Sequence, residues 1–143
     1  MPGSPDYSAR EQPICVAVII CNEIIEDKRT NNKTLVSLFN GISVSHLPTV
    51  HARMFLMASL TNGVGKFKLS FRIKDPSDRE VARFDGEAIF PDPLAVIDIV
   101  VEIQGLHIER EGVYFVDVLS GDHPLGHRRF NVSKISMNSG QPI

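Results

Sequence analysis

The chain has 143 residues, 43% of them apolar, which is one domain's length and enough hydrophobic material for a single core. Fifteen basic and seventeen acidic residues give a net charge of −2 and are interspersed along the chain. That balance gives no reason to expect a nucleic-acid partner or an anionic membrane surface.

Residues 1–13 carry Pro2, Gly3, Ser4, Pro5 and Pro13 and lack the basic lead-in of a secretion signal, so they are read as a disordered tail on a cytoplasmic protein. Ile14 to Ile25 is apolar on both faces as far as Cys21, the pattern of a strand covered on both sides. Its longest apolar run, Ile14–Cys21, is far short of the ~20 residues a membrane-spanning helix requires. Cys15 and Cys21 are placed on one face, about 20 Å apart at ~3.3 Å per residue, where they cannot bridge. Reduced, buried thiols suit a reducing compartment.

Asp27 to Lys33 reads as a hairpin tip, Thr34 to Leu38 as the returning strand, and Ile42 to Ser45 as its continuation past Asn40-Gly41 until Pro48. Val50 to Leu60 is the next strand. Thr61 to Gly65 turns the chain into Lys66–Lys74, where alternation is strict: Phe67, Leu69, Phe71 and Ile73 face one way, Lys66, Lys68, Ser70, Arg72 and Lys74 the other. Burying the apolar four yields roughly 6–12 kcal/mol gross, before chain entropy is subtracted.

Beyond the Asp75-Pro76-Ser77-Asp78 turn, Glu80 to Phe84 is a strand, Gly86 a bend and Ala88 to Phe90 a resumption. Pro91-Asp92-Pro93 breaks the ladder. Ile97 to Ile103 is a strand closed by Gln104-Gly105, Val113 to Ser120 the next, and Leu125 to Val132 the last; residues 133–143 are expected to fray. Turn signals every 8–12 residues and no helical periodicity predict an all-β, antiparallel sandwich of about eight strands, with its single domain at residues 14–132.

Gly112-Val113-Tyr114-Phe115-Val116-Asp117-Val118, then a short turn and Arg128-Arg129-Phe130-Asn131-Val132, resembles the last two strands of an immunoglobulin-like sandwich, with Tyr114 at the tyrosine corner. Lys33 to Ile42, Leu47-Pro48, Phe90 to Leu94 and the 112–132 hairpin are together similar to a family of small bacterial proteins of unknown function. The resemblance spans about Ile14 to Val132. It implies an immunoglobulin-like β-sandwich in a bacterial cell, with no catalytic residue or cofactor to carry over. Relatives are expected to have aspartate where this chain has Asn40.

Candidate chemistry is sparse. His107, Glu109, His123 and His127 have metal-ligand composition, on two loops that are expected to meet at one end of the last hairpin. Pro124 and Gly126 between the last two histidines exclude the helical pair of a zinc hydrolase, so the four are read as solvated loop residues. Asp92 between prolines is read as a turn cap rather than half of a carboxylate pair with Asp98. Asn62-Gly63-Val64-Gly65 lacks the lysine and following helix of a phosphate loop. The Lys66, Lys68, Arg72 and Lys74 stripe has no interleaved aromatics, as a single-stranded nucleic-acid platform requires.

These residues predict a non-enzymatic interaction or structural domain without cofactor, the alternative being a metal-assisted hydrolase built on the histidine cluster. One surplus stands out. Val50–Leu60 serves the core through Ala52, Met54, Leu56, Ala58 and Leu60 yet still presents Phe55 and Met57 on its other side. Such a face needs cover from the chain itself or from a second copy, so Phe55 and Met57 are the expected homodimer interface.

Overall fold

The computed structural model describes residues 11–135. Nine strands form two layers: β1 (Ile14–Glu26), β2 (Lys33–Leu38), β3 (Gly41–Val44), β4 (Thr49–Thr61), β5 (Gly65–Lys74), β6 (Glu80–Phe90), β7 (Ile97–Ile108), β8 (Gly112–Ser120) and β9 (His123–Lys134). One sheet has the order β2-β1-β4-β7 and the other β3-β9-β8-β5-β6. All pairs are antiparallel except β3 with β9, whose parallel register runs from Gly41 opposite Asn131 to Val44 opposite Lys134. β4 and β7 occupy the places of immunoglobulin strands B and E, and β5, β8 and β9 those of C, F and G. The fold is an immunoglobulin-like sandwich.

The alternation in β5 does what it predicts. Phe67, Leu69, Phe71 and Ile73 are buried, and they pack between the sheets with Met54, Leu56, Ala58 and Leu60 of β4. The hairpin tip at 27–33 and the turn at 61–65 also stand as read, with Asn31 and Asn62 in the left-handed region. Gly63 is required at its position because a Cβ there would lie 2.7 Å from the Phe90 ring.

Three sequence expectations are corrected, two of them by a local break in periodicity. A bulge between Cys15 and Ala17 reverses the parity of β1. Cys15 therefore packs against the core while Cys21, opposite Phe55, is buried on the outer side of the sheet, and the two are not on one face. Gln104-Gly105 does not end β7: Gly105 adopts φ +75°, which lets both Ile103 and Leu106 face the core, and the strand continues to Ile108. Gly86 does not bend β6, which runs unbroken for eleven residues. The domain also reaches further than 14–132. Pro13 is buried, Glu11 accepts a hydrogen bond from Asn62 Nδ2 at 3.2 Å, and Ser133 and Lys134 extend β9 against β3. Residues 1–10 and 136–143 of the two expected tails lie outside the described residues.

Tyr114 forms the corner. Its hydroxyl donates to the Arg110 carbonyl at 2.8 Å, its ring stacks on Phe130 with centroids 5.2 Å apart, and the side chain is buried, which pushes the phenol above its ordinary pKa. Arg128 closes the side of the sandwich where β9 faces β1. It donates through Nη1 to the Val18 carbonyl at 3.2 Å and through Nη2 to Asn40 Oδ1 at 2.7 Å.

Tyr114→Phe is expected to cost on the order of 1 kcal/mol, rising to ~3 if the Arg110 carbonyl stays unpaired, and to lower the urea midpoint with an unchanged slope. Asn40→Asp converts the Arg128 contact to an ion pair at an exposed site. A gain of ~0.2–1 kcal/mol, reduced by high salt, is expected in the same assay.

Candidate functional site

The histidine cluster does not assemble. His107 lies near the end of β7 opposite Val50, and Glu109 follows it in the loop leading to β8, paired with Arg79 at 3.3 Å. His123 sits opposite Ser120 and His127 opposite Asp117. The first pair is thus at the Gly112 end of β8, and His123 is at the other, about 26 Å away along the strand at ~3.3 Å per residue. The expected meeting of the two loops fails because consecutive antiparallel connections alternate between the ends of the sandwich. Among the described residues no group of three or more histidine, cysteine, aspartate or glutamate side chains is placed to hold a metal.

The remaining polar candidates are structural. Asp92 Oδ1 accepts from the Leu94 amide at 2.8 Å, the turn cap its prolines suggest, while Asp98 stands opposite Ser59 within the sheet. Asp75 is buried at the β5–β6 turn, where Ser77 Oγ at 2.7 Å and the amides of Ser77 and Arg79 hold its carboxyl below the usual range. The basic stripe is met by cross-strand acids: Lys66 by Glu87 at 3.3 Å and Arg72 by Asp117 at 3.0 Å, with Asp78 on Lys74 at 3.2 Å.

Phe55 and Met57 are also placed differently from expectation. They are only 7% and 9% exposed, so they present no open patch. Their register partners in the sheet are Cys21 and Ile19 on one side, Glu102 and Val100 on the other. The Arg53 guanidinium lies 4.9 Å from the centre of the Phe55 ring and is anchored to Glu102 at 2.7 Å. Sequence alternation alone cannot show that a charged neighbour lies down over a ring.

An apolar cleft opens on the opposite flank, where β6 and β7, edge strands of different sheets, face each other. Val81, Ala82 and Phe84 of β6 and Ile99 and Val101 of β7 pack against the core but are only partly buried. Between them lies a cleft of about 200 Å³, walled by Ala58, Leu69, Phe71, Phe84, Ile99 and Val101, with Asp85 and Glu87 at its lip. Gly86 opens it, since a Cβ at that position would meet nothing within 4 Å. The lip is rigidly built. Ser70 Oγ donates to Asp85 Oδ1 at 2.6 Å and Arg83 Nε to the same oxygen at 3.1 Å, and the Ser70 bond above all holds the Asp85 carboxyl below its usual range. The apolar walls of the seam accept an apolar group, and its polar lining is Ser70, Asp85 and Glu87. Its sequence signal was the glycine at 86, read as a bend.

A family model covers residues 16–133, nearly the whole sandwich. The chain belongs to the DUF6941 family. That family is one of unknown function. Among solved structures, the chain is similar to an immunoglobulin-like protein from Pseudomonas aeruginosa at 14% identity, over 87% of this chain and 98% of that one, with a TM-score of 0.38. It is also similar to the alkylpurine DNA glycosylase AlkC of Pseudomonas fluorescens, at 18% identity over 65% of this chain and a TM-score of 0.44. A β-glucosidase from Listeria innocua matches at 8% identity over 68% of this chain, again with a TM-score of 0.44. The chain spans 27% of the glycosylase and 15% of the glucosidase, and these likenesses carry no argument about activity. No protein of curated function matches the chain significantly.

One partly buried group makes stability depend on pH. His51 stands beside Phe39, ring centroids 6.1 Å apart, with Nε2 buried and without a hydrogen-bond partner, and burial lowers its pKa from 6.5. Because the folded pKa is the lower one, the unfolded chain takes up the proton first. Stability is whole above about pH 6.5 and falls as pH drops toward the folded pKa. Urea midpoints are expected to decline between pH 7.5 and 5.5 in the wild type and to decline less in His51→Phe.

Proposed function

We propose that this chain is a non-enzymatic interaction domain, working in the bacterial cytoplasm, that engages a protein partner through the seam between β6 and β7. The observation that carries the reading is the open apolar cleft beside β6, an edge strand among the described residues. Partly exposed Phe84, Ile99 and Val101 wall it, and of its polar lining groups Ser70 and Asp85 are bonded to each other. Apolar surface that a fold leaves unfilled at an edge is an association surface more often than an accident. A β-strand edge supplies main-chain hydrogen bonds to such a partner, and a neighbouring pocket supplies selectivity for its side chain. Two free cysteines, one in the core and one under the outer face, support a reducing compartment.

A photocrosslinking amino acid placed at Glu87, on the lip of the cleft, is expected to capture a discrete species in living cells. The same residue at Lys28, on the hairpin tip, is expected to capture none. Equal labelling from both positions, or no adduct from Glu87, would remove the seam as an interaction surface.

A further inference from the structure

We infer that the occupant of the seam is a second copy of this chain, docked edge to edge through β6 so that Phe84 of each copy closes the cleft of the other. The inference rests on the reading of the seam as an interaction surface and names its partner.

The size of the cleft points first to one aromatic side chain. A cavity of about 150 Å³ lined by apolar residues holds a benzene ring. This cleft, at about 200 Å³, has room for a phenylalanine ring and little more. The sequence of β6 supplies that ring in register. Antiparallel pairing of two β6 strands about Asp85, the midpoint of Glu80–Phe90, sets residue 84 of one copy against residue 86 of the other. Phe84 and Gly86 share the inner face, so the partner's Phe84 stands over the space that Gly86 leaves empty. Cross-strand phenylalanine over glycine is a favourable pairing at sheet edges.

The outer face of the same register is complementary as well. Arg83 falls opposite the partner's Glu87, twice by symmetry. The outer face also carries Ile89, a side chain 66% exposed in the single copy. A two-fold axis of this kind joins two five-stranded sheets into one of ten strands and leaves no β6 edge unpaired. The axis also brings the two Asp85 carboxylates together. Ser70 and Arg83 already bind each of them, and their repulsion moderates the association rather than forbidding it.

Sedimentation velocity over a concentration series decides the question. The wild type is expected to pass from monomer to dimer. Gly86→Leu, whose own side chain fills the cleft at an unstrained backbone position, is expected to stay monomeric with an undiminished thermal midpoint. Asp85→Asn is expected to tighten the dimer about two- to fivefold by removing the like-charge contact. Glu87→Arg, which sets arginine against the partner's Arg83, is expected to weaken it, and it serves as the test should Gly86→Leu fail to fold. A wild type that remains monomeric at high loading, or a Gly86→Leu or Glu87→Arg protein that dimerises as the wild type does, overturns the inference. The mass of the Glu87 photo-adduct separates this failure from that of the broader reading. Twice the chain mass identifies a second copy, an adduct of another mass keeps the seam and rejects the copy, and no adduct rejects the seam itself.

Discussion

The sandwich depends on one contact: the inner face of β5 against the inner face of β4. Phe67, Leu69, Phe71 and Ile73 meet Met54, Leu56, Ala58 and Leu60, and every other strand is added to this pair from the side. β8 and β6 flank β5, while β1 and β7 flank β4. Since side chains of β5 alternate strictly, a slip of one residue there would turn four large apolar groups to water at once, so its register is strongly specified. Tyr114 then ties the connection before β8 to that framework through its bond to the Arg110 carbonyl, and its ring extends the core over Phe130.

That dependence explains which parts of the chain were legible in advance. β5 was readable residue by residue because one face is wet and the other dry, and the strands on either side of the Gly121 turn were readable through Tyr114 and Phe130. Two of the errors fall where periodicity of two is locally suspended. The bulge after Cys15 and the left-handed Gly105 each change which face a side chain takes without changing composition, whereas β6 keeps its alternation straight through Gly86. A glycine in a strand signals a bulge, a bend or a close approach equally well. Only the three-dimensional surroundings of Gly86 and Gly105 distinguish them.

The candidate site was hidden for a related reason. Sequence reasoning searches for surplus apolar residues on a strand's second face, which led to Phe55 and Met57. It has no means of seeing that both are buried and that Arg53 lies over the Phe55 ring. The deficit that matters is the converse one. Phe84, Ile99 and Val101 are ordinary core residues by sequence, and they become surface only because two sheets with different edge strands do not meet on that flank. Likewise His107 and His123 are close in sequence and compatible in chemistry, yet β8 lies between them and holds them at opposite ends of the molecule.

The two long sides of the sandwich are finished by different means, and the difference bears on function. Where β9 faces β1, Arg128 spans the gap with hydrogen bonds to Val18 and Asn40, and the short parallel strand β3 covers the far end of β9. The edge at β2 is six residues long and carries Lys33, and β3 has only four residues, both familiar ways of keeping an edge from recruiting another strand. β6 has none of these protections. It is eleven residues long, contains no proline or lysine, exposes Ile89 and borders an unfilled apolar cleft. Of its charges, Arg83 and Glu87 match a copy of the strand run in the opposite direction, while Asp85 meets itself at the axis and Glu80 lies at the end. An edge that merely had to be protected would carry like charges along its length. Under the proposed pairing, this pattern favours a second copy over a strand of different charge order.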